Sequence, residues 1–533
     1  MRRHSTTSSG TARNPPLWFA GRFWPRRIAE RKFLFAGMSG SGKTLGIRLL
    51  NQTALYGFGQ GIPRRALYYD AKGDWPAIIH GVFEHWGHPN PPRVKKLAPF
   101  DANGYGYDFQ ADFDRSYNPF GTAANLAKTL IPVTGLGGDK NSQFFTSAAQ
   151  LVLAWVTLLV HERAKRWTLR DIIVAATDGR IIRVLFEQDD RARAILRKFE
   201  ETPQTYSNVL QTVESFLWEL EPAALAWEHH LAKGRRLTFR DWLRGDDILI
   251  LSGTDPNPHA VEPINALLLE FLRQELRNQP ECPWYEPDSP ETWLFLDEFQ
   301  NVAPLPHLVD FFTLSRSKGA TQVIGVQEVD QLVHNYGEEI ANTILGQCGY
   351  VAVTKLASPA SAGYFEKRVG SFEEMKKFEQ TGQSYTSSSG PGGSSSSHTT
   401  NTGTTQQLLT RPGVLAQQFT QLEEVRAGLT IDAYYIANGP YERREFSARF
   451  GECPLAPIPA GFTSYRPLKP ASLTRPRAYS LDDFDRLGFA RADVPSDYHR
   501  KLGPEPTHLE TLLKMVRGWK APRDTTTLET DVA

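Results

Sequence analysis

The sequence predicts an α/β protein with a mainly parallel central sheet and an inserted all-alpha domain. Three observations carry that reading. Short apolar runs ending in Gly or Asp recur along the chain, and helical patterns lie between them. One gap between runs is far longer than any crossover and is rich in three- and four-residue apolar spacing.

The runs are KFLFAG (32–37), ALYYDA (66–71), DILILSG (247–253), TWLFLDE (292–298), TQVIGVQ (321–327) and YVAVTKL (350–356). Apolar stretches without alternation are what strands buried on both faces of a parallel sheet look like. Parallel neighbours need crossover connections, which the intervening helical patterns supply. These runs place residues 32–117 and 245–447 in one α/β domain. The long gap, 118–244, has few strand signals and apolar residues such as Ile172, Ile181, Ile182, Leu185 and Phe186 at helical spacing. It reads as an inserted all-helical domain.

Residues 1–31 read as an arm. In PPLWFAGRFWPRR, Trp18, Phe19, Phe23 and Trp24 are interleaved with Arg22, Arg26 and Arg27. That mixture suits an anionic lipid surface, nucleic acid or a protein groove, or an arm that packs its aromatics on the domain. Beyond Gly370 polarity rises, and 386–405 (TSSSGPGGSSSSHTTNTGTT) contains no apolar residue. Such a stretch cannot bury enough surface to offset its ordering entropy, which predicts a disordered loop over 380–407. The segment 430–446 carries a hairpin-like turn at 438–440. Residues 448–533 form a Pro- and Arg-rich extension with a helical pattern at 507–519 and no evident chemistry.

Bulk properties bound the function. The 533 residues suit two or three domains. Lys+Arg 60 against Asp+Glu 59 gives a net charge of +1, which excludes a uniformly basic protein but not a basic pore or patch. Cys282, Cys348 and Cys453 lie far apart without ligand spacing. They fit a reducing cytoplasm and neither a disulfide scaffold nor a zinc site. The longest nearly apolar run, AAQLVLAWVTLLV at 148–160, is shorter than the roughly 20 residues of a bilayer span and reads as a core helix. No signal peptide is visible, so the expected location is the cytoplasm, or the periphery of the inner membrane.

Residues 37–44, GMSGSGKT, match G-x-x-x-x-G-K-[ST]. The glycines, Gly37, Gly40 and Gly42, let the backbone wrap phosphates. The amides of the loop, which includes Ser39 and Ser41, supply an anion site together with the following helix N-terminus. Lys43 reaches the β- and γ-phosphates in this pattern, and the Thr44 hydroxyl binds Mg²⁺. TWLFLDE complements the loop: its strand delivers Asp297 to the Mg²⁺ shell, and Glu298, one residue on, can polarise the attacking water. ATP and Mg²⁺ are therefore the expected cofactors. Gln327 ends the next run, where its amide could sense the γ-phosphate or position water, or could be a rim glutamine without a role. Asp70 opens the D-A-K-G-D segment at the sheet's carboxyl edge, where ligands of open α/β sheets bind. It could equally cap the following helix.

Taken together, the motifs resemble the type IV secretion coupling proteins, hexameric ATPases that pump DNA during bacterial conjugation. The matching text is GMSGSGKT, YDAKGD, YNPF (117–120), NSQFFTSAAQLVL (141–153), FLDEFQNV (295–302), LSRSKGATQVIGVQEVDQLVHNYGEEIANTIL (314–345) and TRPGVLAQQFTQLEEV (410–425). These follow the family's order from about residue 30 to 447. The resemblance implies a RecA-like P-loop NTPase motor assembled as a homo-hexamer around a DNA channel. It also implies that Arg316 reaches the neighbouring subunit's nucleotide as an arginine finger; from the residues alone Arg316 could be a surface charge, with Lys318 as rival. The expected function is ATP-driven translocation of DNA, expected to be single-stranded and bound without sequence specificity. Relaxase or accessory transfer proteins, and a membrane or secretion-channel partner, are the expected company. The alternatives are a cytosolic DNA translocase or helicase without a secretion channel, and a nucleotide-switched adaptor that recruits relaxase and DNA. Coupling proteins usually begin with membrane-spanning helices, whereas here the phosphate loop starts 36 residues from Met1. The aromatic-basic arm, or a separate membrane protein, is expected to replace that anchor.

Overall fold

The computed structural model describes residues 14–498 except 134–139, 254–257, 283–288, 302–304, 306, 470–478, 491–492 and 496–497. The helical pattern at 507–519 and the first 13 residues of the arm lie outside the described residues.

Nine strands form the main sheet. In chain order they are β1 (Lys32–Ala36), β2 (Arg64–Asp70), β3 (Val94–Leu97), β4 (Ile248–Ser252), β5 (Glu291–Leu296), β6 (Ala320–Val326), β7 (Cys348–Val353), β8 (Thr430–Ala437) and β9 (Tyr441–Ser447). Their spatial order is β9-β8-β7-β1-β6-β5-β2-β4-β3. Every pairing from β7 to β3 is parallel, whereas β8 and β9 close that side as an antiparallel hairpin. The six apolar runs occupy consecutive positions in this order, and β1, β2, β4, β5 and β6 are buried along their whole length. β3 (VKKL) is the edge strand; its half-exposed, lysine-bearing sequence lacks the apolar signature that marks the others. The turn at 438–440 is present, with the Ala437 amide donating to Pro440 O at 2.9 Å.

The sheet faces carry separate cores because successive side chains along a strand point to opposite sides. One face, with Phe33, Phe35, Tyr68, Phe295 and Val323, is covered by helices α1 (Lys43–Leu55) and α2 (Trp75–His85). The other face, with Leu34, Leu67, Leu249, Leu294 and Ile324, belongs to one continuous core with the helical insertion.

That insertion contains the helices Pro119–Leu130, Lys140–Arg163, Leu169–Thr177, Gly179–Glu187, Asp190–Glu201, Pro203–Leu217 and Glu221–Ala232. The expected stripe residues Ile172, Ile181, Ile182, Leu185 and Phe186 are all buried. The first helix begins inside the YNPF motif: Asn118 caps it by accepting from the Gly121 amide at 3.0 Å, and Pro119 supplies the preset φ of the first turn. The helix Lys140–Arg163 is long and apolar enough to cross a membrane by composition, yet Val152, Leu153, Val156, Leu159 and Val160 are packed in the core. It is the core helix that the 148–160 run predicts.

One alternative is selected and one expectation is corrected. The described part of the arm packs its aromatics on the α/β domain. Leu17–Phe19 and Arg22–Trp24 form a hairpin, and Trp18 and Phe19 are buried against the sheet and α1. Phe19 meets Phe33, Phe35, Tyr350 and Tyr435 edge-on. Arg26 forks onto the buried Glu291 at 2.7 Å, which also pairs with Arg64 at 3.1 Å. Burial of these aromatics outweighs anything a solvated arm would gain. The stretch expected to be disordered is instead an antiparallel ribbon, Ser371–Gly390 paired with Gly393–Pro412. Its side chains build no core, but the two arms satisfy one another's backbone groups through a local turn, and Ser/Thr-rich arms are compatible with extended backbone.

The extension beyond residue 447 runs back across the molecule as a strap. Gln52 of α1 donates to Pro454 O and accepts from the Ala456 amide, both at 2.9 Å. Lys96 of β3 donates to Ser464 O at 2.6 Å. The helix Leu481–Arg486 then docks on the insertion, with Tyr479, Phe484 and Leu487 in its core. Arg486 forks onto the fully buried Asp171 at 2.7 and 2.8 Å.

Candidate nucleotide site

The site lies at the carboxyl ends of β1, β2, β5 and β6. A strand that stops at a glycine-rich loop and restarts as a helix leaves amide donors unsatisfied at the helix N-terminus, which makes an anion site. Here β1 ends at Ala36 and α1 begins at Lys43. The loop between them is pinned on three sides. Gly37 N donates to Val326 O at 3.1 Å, Met38 N donates to Lys355 O at 2.9 Å, and Val425 N donates to Gly40 O at 3.2 Å. Ser41 Oγ donates to Met38 O and lies 2.6 Å from Thr354 Oγ1. A Cβ on Gly37 would overlap the Thr354 hydroxyl, and Gly42, at φ +100°, packs against Val425 and Ile431, so both positions call for glycine.

The chemistry-bearing side chains converge at the start of α1. Lys43 is buried, with Nζ 3.0 Å from Asp297 Oδ1 and 3.2 Å from Glu298 Oε1. Thr44 Oγ1 donates to Asp297 Oδ2 at 3.3 Å. Glu298 also accepts from Lys72 Nζ at 2.9 Å on Oε1, and from Gln327 Nε2 at 2.9 Å and Gln300 Nε2 on Oε2. Burial pushes the Glu298 carboxyl upward, but the Lys43 charge and the Lys72 hydrogen bond outweigh it and hold the group at about 2. Glu298 sits at φ +58°, a left-handed conformation that costs a non-glycine residue roughly 1–3 kcal/mol and collects at functional sites. A cavity of about 270 Å³ opens here, lined by Ser39, Gly40, Gly42, Lys43, Thr44, Lys72, Glu298 and Val425 among others. The set fits a magnesium polyphosphate: loop amides and Lys43 would hold the phosphates, and Thr44 with Asp297 would hold the cation. A larger cavity of about 510 Å³ lies by the first helix of the insertion, beside Arg115, Tyr117 and Asn118; it has neither the phosphate loop nor the acidic pair.

Three expected residues lie elsewhere. Asp70 is buried and turned onto its own loop, accepting from the amides of Gly73 at 2.8 Å and Asp74 at 3.2 Å, ahead of the helix that begins at Trp75. Burial pushes its carboxyl up to about 6. The Ser41 side chain fastens the loop to β7 and does not face the cavity. Arg316 precedes β6, at the opposite end of that strand from Gln327, and pairs with Glu30. The length of β6 alone separates Arg316 from its own phosphate loop by on the order of 20 Å. Conversely, Lys72, Gln300, Thr354 and Val425 were missed. Lys72, Gln300 and Val425 sit inside the family-like motifs and Thr354 in the run 350–356, so their positions are marked there without their roles. The loop pinning of Thr354 is a tertiary contact with no local signal.

Residues 17–434 match the family model described as the type IV secretion-system coupling protein DNA-binding domain. Coupling protein TraD of Escherichia coli (strain K12) is 25% identical over 346 residues, 62% of this chain and 44% of TraD. The chain thus spans less than half the length of that curated relative. Among solved structures, the bacterial conjugative coupling protein TrwBdeltaN70 superposes with a TM-score of 0.61 at 18% identity, over 85% of this chain and 92% of that one. TrwB in complex with ADP and Mg²⁺ gives 0.59 at 17% identity, over 86% and 92%. Both share the RecA-like α/β fold with this chain. A phosphate loop faced by its acidic pair, inside a match covering most of the sequence, makes this chain a member of the type IV secretion coupling protein family.

Proposed function

We propose that the protein hydrolyses ATP with Mg²⁺ and uses the energy to translocate DNA in conjugative transfer. The observation that carries this is the contact network that ties Lys43, Thr44, Asp297, Glu298 and Gln327 together beside one cavity in a coupling-protein chain. TrwB, which shares the fold, is known in complex with ADP and Mg²⁺ and with a non-hydrolysable ATP analogue.

Bound here, Mg²⁺–ATP supplies the phosphoanhydride whose cleavage releases the energy. Lys43 would turn from the acidic pair to the phosphates, and Thr44 and Asp297 would hold the cation. Glu298 takes the proton of a water as its oxygen bonds to the terminal phosphorus and the bond to the leaving diphosphate breaks. Gln327, at the end of β6, steadies that carboxylate and links its position to the strand that begins after Arg316. Arg316 then acts on a neighbouring subunit's nucleotide in a homo-hexameric ring, the arrangement its distance from its own loop favours. Single-stranded DNA passing through the ring, with relaxase, accessory proteins and a secretion channel at the inner membrane as partners, completes the reading.

The test is the rate of ATP hydrolysis with no DNA, single-stranded DNA and double-stranded DNA, for wild type and Lys43→Ala. Hydrolysis stimulated by DNA and abolished by Lys43→Ala is expected. An assembled ring that ignores DNA would refute the motor and leave the adaptor alternative.

A further inference from the structure

Resting on that hydrolytic reading, the geometry around Glu298 assigns a task to a residue that the phosphate-loop chemistry does not use. A carboxylate offers about four lone-pair positions, two on each oxygen. In this structure Glu298 accepts three hydrogen bonds, from Lys72 at 2.9 Å on Oε1 and from Gln327 at 2.9 Å and Gln300 on Oε2. The Lys43 ammonium stands 3.2 Å from Oε1 as an ion pair. With three acceptor positions taken and that ammonium beside the fourth, the carboxylate as it stands is parked.

Which donor leaves when phosphates arrive follows from the surroundings. Gln300 lies two residues on, in the short helix Phe299–Asn301, and Gln327 ends a central strand, so both move with Glu298's own framework. Lys43 is buried at the first position of α1, where polyphosphate competes for its ammonium. Its departure vacates one position on Oε1, the oxygen nearer the phosphate loop. Lys72 sits on the loop after β2, and its side chain is half exposed, at 52%. It is then the one ammonium left on Oε1. Asp70 braces that loop from below by accepting the amides of Gly73 and Asp74. The loop therefore has a reason to be rigid that the sequence did not give.

We propose that Lys72 is a positioning residue: it keeps Glu298 aimed when Lys43 leaves for the phosphates, so that the vacated position on Oε1 receives the attacking water. Losing Lys72 would let the carboxylate rotate off the water while leaving the phosphate-binding groups intact.

The test uses the full-length protein and four chains: wild type, Lys72→Met, Lys72→Gln and Lys72→Arg. Steady-state ATP hydrolysis gives kcat and KM; titration with a fluorescent ADP analogue and Mg²⁺ gives affinity; thermal unfolding checks that each variant folds. Removal of the ammonium is expected to lower kcat about tenfold or more, part of the 10²–10⁴ that a positioned base contributes. KM and ADP affinity should stay within about twofold, and Lys72→Arg should recover much of the rate. An unchanged kcat in folded Lys72→Met or Lys72→Gln overturns the assignment. So does a loss of ADP affinity parallel to the loss of rate, since that makes Lys72 a phosphate ligand. A wild type that binds ADP but never hydrolyses ATP overturns the hydrolytic reading itself and this assignment with it, an outcome distinct from both others.

Discussion

Gly37→Ala probes how tightly the phosphate loop is fastened to the sheet. A Cβ at this position overlaps Thr354 Oγ1 and would lie 2.6 Å from Ser41 Oγ and 3.1 Å from Thr354 Cβ. The strand side cannot yield, because Gly37 N is tied to Val326 O and Thr354 N to Ala36 O. The loop must give instead. Forcing one extra methyl into a packed site costs about 1–3 kcal/mol. If that cost is taken from the loop conformation that holds phosphates, Mg²⁺–ADP affinity falls roughly tenfold to a hundredfold. Thr354→Ala removes the overlapping oxygen and leaves only a rotatable serine hydroxyl and a contact at 3.1 Å. The double variant should therefore bind more tightly than Gly37→Ala alone, even though Thr354→Ala by itself forfeits hydrogen bonds worth about 1 kcal/mol. The assay is titration of a fluorescent ADP analogue into the three variants and wild type, with thermal unfolding as a fold check. Unchanged affinity in Gly37→Ala, or strictly additive losses in the double variant, would refute the steric argument.

Other outcomes follow from the same coordinates. Because Arg316 is a strand's length from its own phosphate loop, Arg316→Ala and Glu298→Gln should each abolish hydrolysis while retaining ADP affinity. Mixing the two inactive chains should restore partial activity, and no restoration on mixing would remove the role in trans. Asp112 is buried beside Tyr107, and burial pushes its carboxyl up to about 7. A raised folded value favours the protonated form, so its stabilising contribution is full below about pH 4 and is lost as pH rises through 7. Wild type should lose thermal stability relative to Asp112→Asn between pH 5 and pH 8; parallel curves would contradict this. Arg486→Ala strips the fully buried Asp171 of a bidentate partner and leaves Asp483 with Arg170 at 3.4 Å. Breaking such a pair costs about 3 kcal/mol. It should appear as faster hydrogen exchange and proteolysis of the strap helix Leu481–Arg486, with nucleotide affinity unchanged; unaltered exchange would show that packing of Tyr479 and Phe484 alone holds the strap.

The sequence alone determined the sheet's interior and named the residues that meet at the candidate site. Strands buried on both faces must be apolar throughout, which is why six of the nine strands of the sheet could be named from unalternating runs. The phosphate loop and Asp297–Glu298 are likewise local: a backbone that wraps phosphate needs glycines at fixed spacing, and a strand end must deliver the acid. Ile181, Ile182, Leu185 and Phe186 showed a helical stripe before any partner for it was known. Tertiary structure decided what depends on neighbours distant in sequence. Trp18 and Phe19 could have faced lipid or DNA, and only the rings of Phe33, Tyr350 and Tyr435 around Phe19 and of Phe446 beside Trp18 settled that they are core. Composition predicted disorder for a ribbon whose backbone groups found partners across a turn. Asp70 carried the same chemical promise as Glu298, yet it braces its own loop, and the lysine two residues on is the one that meets Glu298. Charge and spacing name candidates, but the direction in which a side chain leaves its strand is set by everything packed around it.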